Sequence, residues 1–145
     1  MDYQARLIRL IECSADELTN KWLVDVRRNT KTATYRKLDE KDLYQRGFRV
    51  LSHLGKWITE ETDREESRKD WIKLGRERRE EGFALSEIVM ALALLRRNLW
   101  QKIESEGLMD TAYDFFQAMQ LHNRVAHFFD RAVYYTACGY EKPQD

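Results

Sequence analysis

The chain has 145 residues, with 25 Lys+Arg balanced by 25 Asp+Glu and a formal net charge of zero. That length suits one domain burying about 68% of its unfolded surface. The charge balance excludes a uniformly basic nucleic-acid surface, and 43% hydrophobic residues exclude an acidic disordered chain.

The turn-forming residues are scarce: six glycines and one proline, Pro143. A β-sandwich or barrel of this size needs more of both, so an all-α bundle is expected. The start, MDYQARLIRLIECSADEL, has charges interrupting each apolar stretch and no signal-peptide core. The longest apolar run, Ile88 to Leu95, is far shorter than the roughly 20 residues that span a bilayer. Cys13 and Cys138 match no metal or redox spacing and read as buried or incidental thiols of a cytoplasmic protein.

The pattern predicts about five helices. The first runs from Asp2 to about Asn29, with Leu7, Ile8, Ile11, Ala15, Leu18, Trp22 and Val26 at three- and four-residue steps. Ser14 and Glu17 have the spacing of a capping box, yet the stripe keeps its phase through Ser14, which favours one long, bent helix. Thr30 to Lys37 has no period and reads as a loop. The second helix starts after Asp39 as N-cap and shows Tyr44, Phe48, Leu51, Leu54 and Ile58 on its apolar face. Gly47 and Gly55 border that face, where close helix crossings could fall.

The third helix lies within about Glu65 to Glu81, a densely charged stretch read as a solvated face anchored by Trp71, Ile72 and Leu74. Gly82 is its expected C-cap. The fourth, about Ser86 to Glu104, takes Ser86 or a neighbour as N-cap and is apolar around most of its circumference. Such a helix is central to the bundle or part of a subunit interface. The fifth runs from about Asp110 to Cys138, with Gly139 as C-cap, and carries two stripes. One is Phe115, Met119, His122, Ala126, Phe129 and Val133; the other is Ala118, Leu121, Val125, Phe128, Ala132 and Tyr135. One stripe can face the core while the other meets a partner chain. Residues 1–139 thus form one helical domain and 140–145 a polar tail.

Chemistry is thinly represented. The chain has no Gly-rich phosphate loop, nucleophile elbow, HExxH or CxxC. A ferritin-like di-iron site needs Glu-x-x-His on two helices, and none occurs. The acidic cluster Glu61, Asp63, Glu65 and Glu66 is mixed with bases. His53 and His127 sit among charged neighbours and read as surface residues. His122 falls in an apolar stripe, either as a hydrogen-bonded core histidine or as a ligand contact. Haem is the cofactor to test there, since an all-helical chain of globin length can hold one through a single axial histidine. No other feature supports it, so no cofactor or metal is expected. Arg96 and Arg97 interrupt the most apolar helix; Arg96 either snorkels, pairs with a carboxylate or binds an anion, with Trp100 one turn away for stacking.

The stretch Trp71 to Trp100, WIKLGRERREEGFALSEIVMALALLRRNLW, carries a family pattern. Its positions are Leu74-Gly75, Arg76 or Arg78, Gly82-Phe83, Leu85-Ser86-Glu87, Ala91, Leu94-Leu95-Arg96 and Trp100. This resembles the RsbRD-type N-terminal domain, a regulatory module that precedes antagonist domains in stressosome co-antagonist proteins and has counterparts ahead of sensor histidine kinases. Trp22 and the closing Phe129-Asp130-Arg131-Ala132 and Gly139-Tyr140 extend the likeness over nearly the whole chain.

The resemblance implies an all-helical, dimeric, non-catalytic input domain; the bundle is expected to be distantly globin-like and to pass a signal through its last helix to an output domain. Any kinase activity would belong to such a downstream domain. Arg96, Trp100, His122 and Phe129 are the expected ligand or partner contacts. The alternatives are a pure dimerisation scaffold, or a small-molecule or haem-binding sensor. Nucleic acid and a membrane span are not expected.

Overall fold

In a computed structural model of the chain, residues 3–60, 64–106 and 110–142 are described. They form six α-helices and one 3₁₀ segment, with no strand among the described residues. The order is α1 (Tyr3–Cys13), α2 (Ala15–Arg28), the 3₁₀ segment (Thr30–Lys37), α3 (Glu40–Glu60), α4 (Arg64–Glu80), α5 (Leu85–Ser105) and α6 (Ala112–Glu141).

The all-α expectation holds, and the first helix is where the count changes. It breaks at Ser14, whose φ of −98° and ψ of 5° leave the helical region. The Ser14 amide splits its bond between the Leu10 and Ile11 carbonyls, and its side chain caps nothing. The apolar stripe keeps its phase across the break because Leu7 and Ile11 on α1 and Leu18, Trp22 and Val26 on α2 enter one core. The break frees α1 to lean on α6 and α3 while α2 packs on α3 and α5. The expected loop at Thr30–Lys37 is a 3₁₀ segment instead, started by the Asn29 side chain on the Lys31 amide and tied back by the Thr32 hydroxyl on the Val26 carbonyl.

Asp39 caps α3 as expected, its carboxylate accepting from the Asp42 amide at 2.7 Å. Leu43, Val50, Leu51 and Leu54 are the buried face of α3. Tyr44 and Phe48, expected there, stack on each other at its edge. An added Cβ at Gly47 would meet the Trp22 ring at 2.6 Å, so this glycine does mark a close crossing; Gly55 meets nothing within 4 Å and does not. The side chain of Ile58 lies outside the described residues, as do Glu61, Asp63, the Glu66 side chain and Pro143; Glu65 pairs with Arg68.

The charged helix α4 is not simply a solvated face. It makes the most extensive helix pair of the fold, with α6, and Gly75 and Gly139 are the reason. A Cβ on Gly75 would overlap the Thr136 carbonyl oxygen, and one on Gly139 the Ile72 carbonyl oxygen, so the two backbones touch directly. Gly139 therefore lies inside α6, which continues to Glu141 rather than ending at Cys138. Thr111 is the N-cap of α6, close to the expected start at about Asp110, its hydroxyl accepting from the Asp114 amide.

Gly82 closes α4 as expected, with φ of +91°. Its amide bonds the Arg79 carbonyl and the Phe83 amide bonds the Arg78 carbonyl, the paired geometry of a Schellman motif. Ala84, rather than Ser86, precedes α5, and Glu87 reaches back to its amide at 3.1 Å. Helix α5 is central, burying Ile88, Ala91, Leu92, Leu94, Leu95, Leu99 and Ile103. The Trp22 indole donates to the Ala91 carbonyl at 2.8 Å, and the Lys21–Asn98–Asp25 chain pins α2 to α5. On α6 the stripe Ala118, Leu121, Val125, Phe128 and Ala132 is the core face.

Candidate functional site: the groove between the last two helices

The second α6 stripe is only partly covered. Phe115 and Met119 are exposed at its start, His122, Ala126 and Val133 are half-buried, and Phe129 is buried. Helices α5 and α6 touch each other over a much shorter stretch than α4 and α6 do. Between them runs a groove in two adjoining stretches that share Ala93 and Arg96.

The first stretch has a volume of about 480 Å³ and is mainly apolar. Leu92, Phe129 and Val133 line it, Val89 and Tyr134 stand exposed at its edge, and Arg96 and Asp130 are its charged members. The second, about 400 Å³, is bounded by Arg96, Arg97, Trp100, His122, Val125 and Ala126. All four residues singled out from the sequence thus line one groove. Arg96, Trp100 and His122 share the second stretch, and Phe129 lies with Arg96 in the first.

Their partners differ from those expected. The Trp100 ring meets His122 edge to face, centroids 4.5 Å apart at 68°, rather than stacking on Arg96. His122 is half-buried, and its Nδ1 is enclosed with no hydrogen-bond partner among the described residues, unlike a satisfied core histidine. Arg96 and Arg97 are exposed and make no ion pair among the described residues. His53 is half-buried rather than on the surface, 3.9 Å from Asp70 and beside Trp71 in a smaller α3–α4 cleft of about 280 Å³. His127 is exposed and near Trp57. Cys13 is exposed and Cys138 half-buried, and both are free thiols. Among the described residues no three His, Cys, Asp or Glu cluster as a metal site would require.

The other family-pattern residues build the corner that carries α5. Arg78 is 7% exposed, because Glu81, 2.8 Å away, compensates its charge against the buried Tyr35. Arg46 grips the same Glu81 with two bonds of 3.0 and 2.6 Å and also holds Asp42. The Arg46 bond, with help from Arg78, holds the Glu81 carboxyl below the ordinary carboxylate range. Burial pushes the Tyr35 phenol up to about 12. Phe83 packs on Tyr35 with centroids 4.6 Å apart.

Glu87 accepts from the Thr34 amide and hydroxyl, each at 2.7 Å, as well as from Ala84. Burial works against its ionisation, but those bonds and Lys37 outweigh it and hold the carboxyl low. Leu95 lies in the core and Ser86 on the surface. The end of α6 is fastened to the same corner: the Tyr140 hydroxyl donates to the Phe83 carbonyl at 2.6 Å, and Arg79 donates to the Tyr140 carbonyl at 2.7 Å. Single-residue periodicity carries no sign of these bonds. The glycines at 75 and 139 were the one legible hint, and only a known helix pairing gives them meaning.

The fold is an all-α bundle with a groove along its last two helices. The chain belongs to the family of RsbT co-antagonist protein rsbRD N-terminal domains, whose family model matches residues 16–145. That family is regulatory and not catalytic, so a signalling role follows for this chain. The match begins two residues past the Ser14 break and leaves α1 outside. Neither a curated protein nor a solved structure matches the chain. No helix among the described residues is long and apolar enough to cross a membrane.

Proposed function

We propose that the chain is the dimeric, cytoplasmic input domain of a signal-transduction protein, relaying its state through α6 to an output domain or partner protein. The observation that carries this reading is the apolar stretch of the α5–α6 groove. Val89 is 38% and Tyr134 63% exposed at its edge, which is costly for a surface that stays in water. A second copy is the occupant that fits. Arg96 and Asp130 border the same stretch without pairing within one chain, so a two-fold axis would bring each against its complement. Such a face is isologous: one patch serves both copies.

Where α6 is held supports the relay. Its C-terminal turn is clasped by Tyr140 and Arg79 to the α4–α5 corner, and its middle lies in the groove. A change in groove packing therefore bears on the same helix that leaves the domain, the arrangement a two-state switch requires.

Sedimentation equilibrium tests the dimer. The parent chain is expected to dimerise at micromolar concentration, and Val89→Glu combined with Tyr134→Glu to sediment as a monomer with unchanged helicity, because both side chains are exposed. A monomeric parent, or a double variant that dimerises like the parent, refutes the reading.

A further inference from the structure

The second stretch of the groove adds Arg97, Trp100 and His122, which self-association through the first does not use. We infer that it is a binding site for a small carboxylate whose body is flat and apolar. The inference rests on the reading of the α5–α6 groove as the regulatory face, and adds to it the class of molecule recognised.

Three features meet there. Arg96 and Arg97 both line the same cavity of about 400 Å³, and neither has a carboxylate among the described residues. Other cations of this chain are matched: Arg46 to Glu81 and Asp42, Arg78 to Glu81, and Lys102, near the end of α5, to Glu17 and Glu106. Two unmatched arginines bordering one cavity favour an anion in it, which either can hold through charge-assisted, planar hydrogen bonds. The rest of the lining is aromatic and aliphatic: the Trp100 ring, one turn past Arg96 on α5, meets the His122 ring of α6 edge to face, with Val125 and Ala126 of α6 beside it. Such a lining takes the flat face of a ring or conjugated chain. The volume lies in the range of small-molecule sites and is ample for a single-ring acid.

The site adjoins the apolar stretch through Ala93 and Arg96. A carboxylate on Arg96 would therefore compete with any use of that arginine across a dimer axis. Ligand and self-association are coupled through one side chain, and by linkage each alters the affinity of the other.

Benzoate, its neutral isostere benzamide and inorganic phosphate are the probes, followed by the NMR shift of the Trp100 indole N–H, assigned with Trp100→Phe. Benzoate is expected to bind with about millimolar affinity, as suits so small a ligand. Benzamide should bind about tenfold or more weakly, lacking the charge-assisted bonds, and phosphate should leave the indole unshifted. Arg97→Gln, which lies outside the apolar stretch, should weaken benzoate about tenfold and leave the dimer intact.

Equal binding of benzoate and benzamide overturns the inference, and so does the absence of any Trp100 shift with benzoate. An Arg97→Gln variant that loses the dimer but keeps parental benzoate binding also overturns it, because the guanidinium then serves a second copy. A dimer without benzoate binding refutes the ligand alone, and benzoate binding by a monomeric parent refutes the dimer alone.

Discussion

Replacing Gly75 by alanine puts a methyl group where the backbone of α6 already lies. The new Cβ would overlap the Thr136 carbonyl oxygen, with the Tyr140 nitrogen at 2.8 Å and the Thr136 carbonyl carbon at 2.9 Å. Ordinary van der Waals contact begins near 3.4 Å, so α4 must retreat even to satisfy the Tyr140 nitrogen. Every atom in the way is backbone, which cannot rotate aside as a side chain would. Overpacking of this kind costs about 1–3 kcal/mol, and a backbone clash belongs at the upper end. Alanine in a helix interior returns about 1 kcal/mol of propensity. The net loss is about 2 kcal/mol, which lowers the melting temperature by about 4–8 °C at this size.

Gly55→Ala is the internal control. The same chemical change in α3 meets nothing within 4 Å, so only the propensity gain of about 1 kcal/mol remains and the melting temperature should rise. Thermal melts followed by far-UV circular dichroism compare the two with the parent. A Gly75→Ala protein that melts at or above the parent would show that α4 and α6 do not touch through their backbones.

Two further outcomes follow from the corner at Glu81 and Glu87. Both carboxyls are held below the ordinary glutamate value of 4.5, so the unfolded chain binds protons more readily than the folded one in that window. Their contribution is complete above about pH 4.5 and is lost as the pH falls through the folded values. Urea midpoints should therefore drop on acidification, and the combination Glu81→Gln with Glu87→Gln should flatten the fall; an unchanged slope would contradict the assignment. Gly82→Ala meets no neighbour within 4 Å but forces φ of +91° on a residue with a Cβ, at a cost of about 1–2 kcal/mol. Asparagine, which tolerates the left-handed region better, should cost less in the same urea titration.

Much of this molecule is legible along the chain. Apolar residues at helical spacing place α4, α5 and α6 within a few residues of both ends and α3 at its start, because burial of one face is a local, periodic property. Gly82 and Asp39 are readable for the same reason: a left-handed cap and a side-chain acceptor act on their own turn of backbone. The pattern from Leu74 to Trp100 was sufficient to recognise the family, and the four contact residues chosen from the sequence, Arg96, Trp100, His122 and Phe129, fall in one groove.

What stayed hidden depends on the neighbour across the fold. Gly139 looks like a helix end until Ile72 of α4 is laid on it, and then it is a residue inside α6 that lets the two backbones meet. Arg78 looks like one more solvated charge until Glu81 and Arg46 enclose it. Arg96 offered three fates in sequence: it could snorkel, pair or bind an anion. Which carboxylates lie within reach of a guanidinium is a matter of tertiary distance alone. Zero net charge was visible from composition, but the unequal distribution of that charge, paired at the corner and unmatched beside Trp100, was decided by how the helices pack.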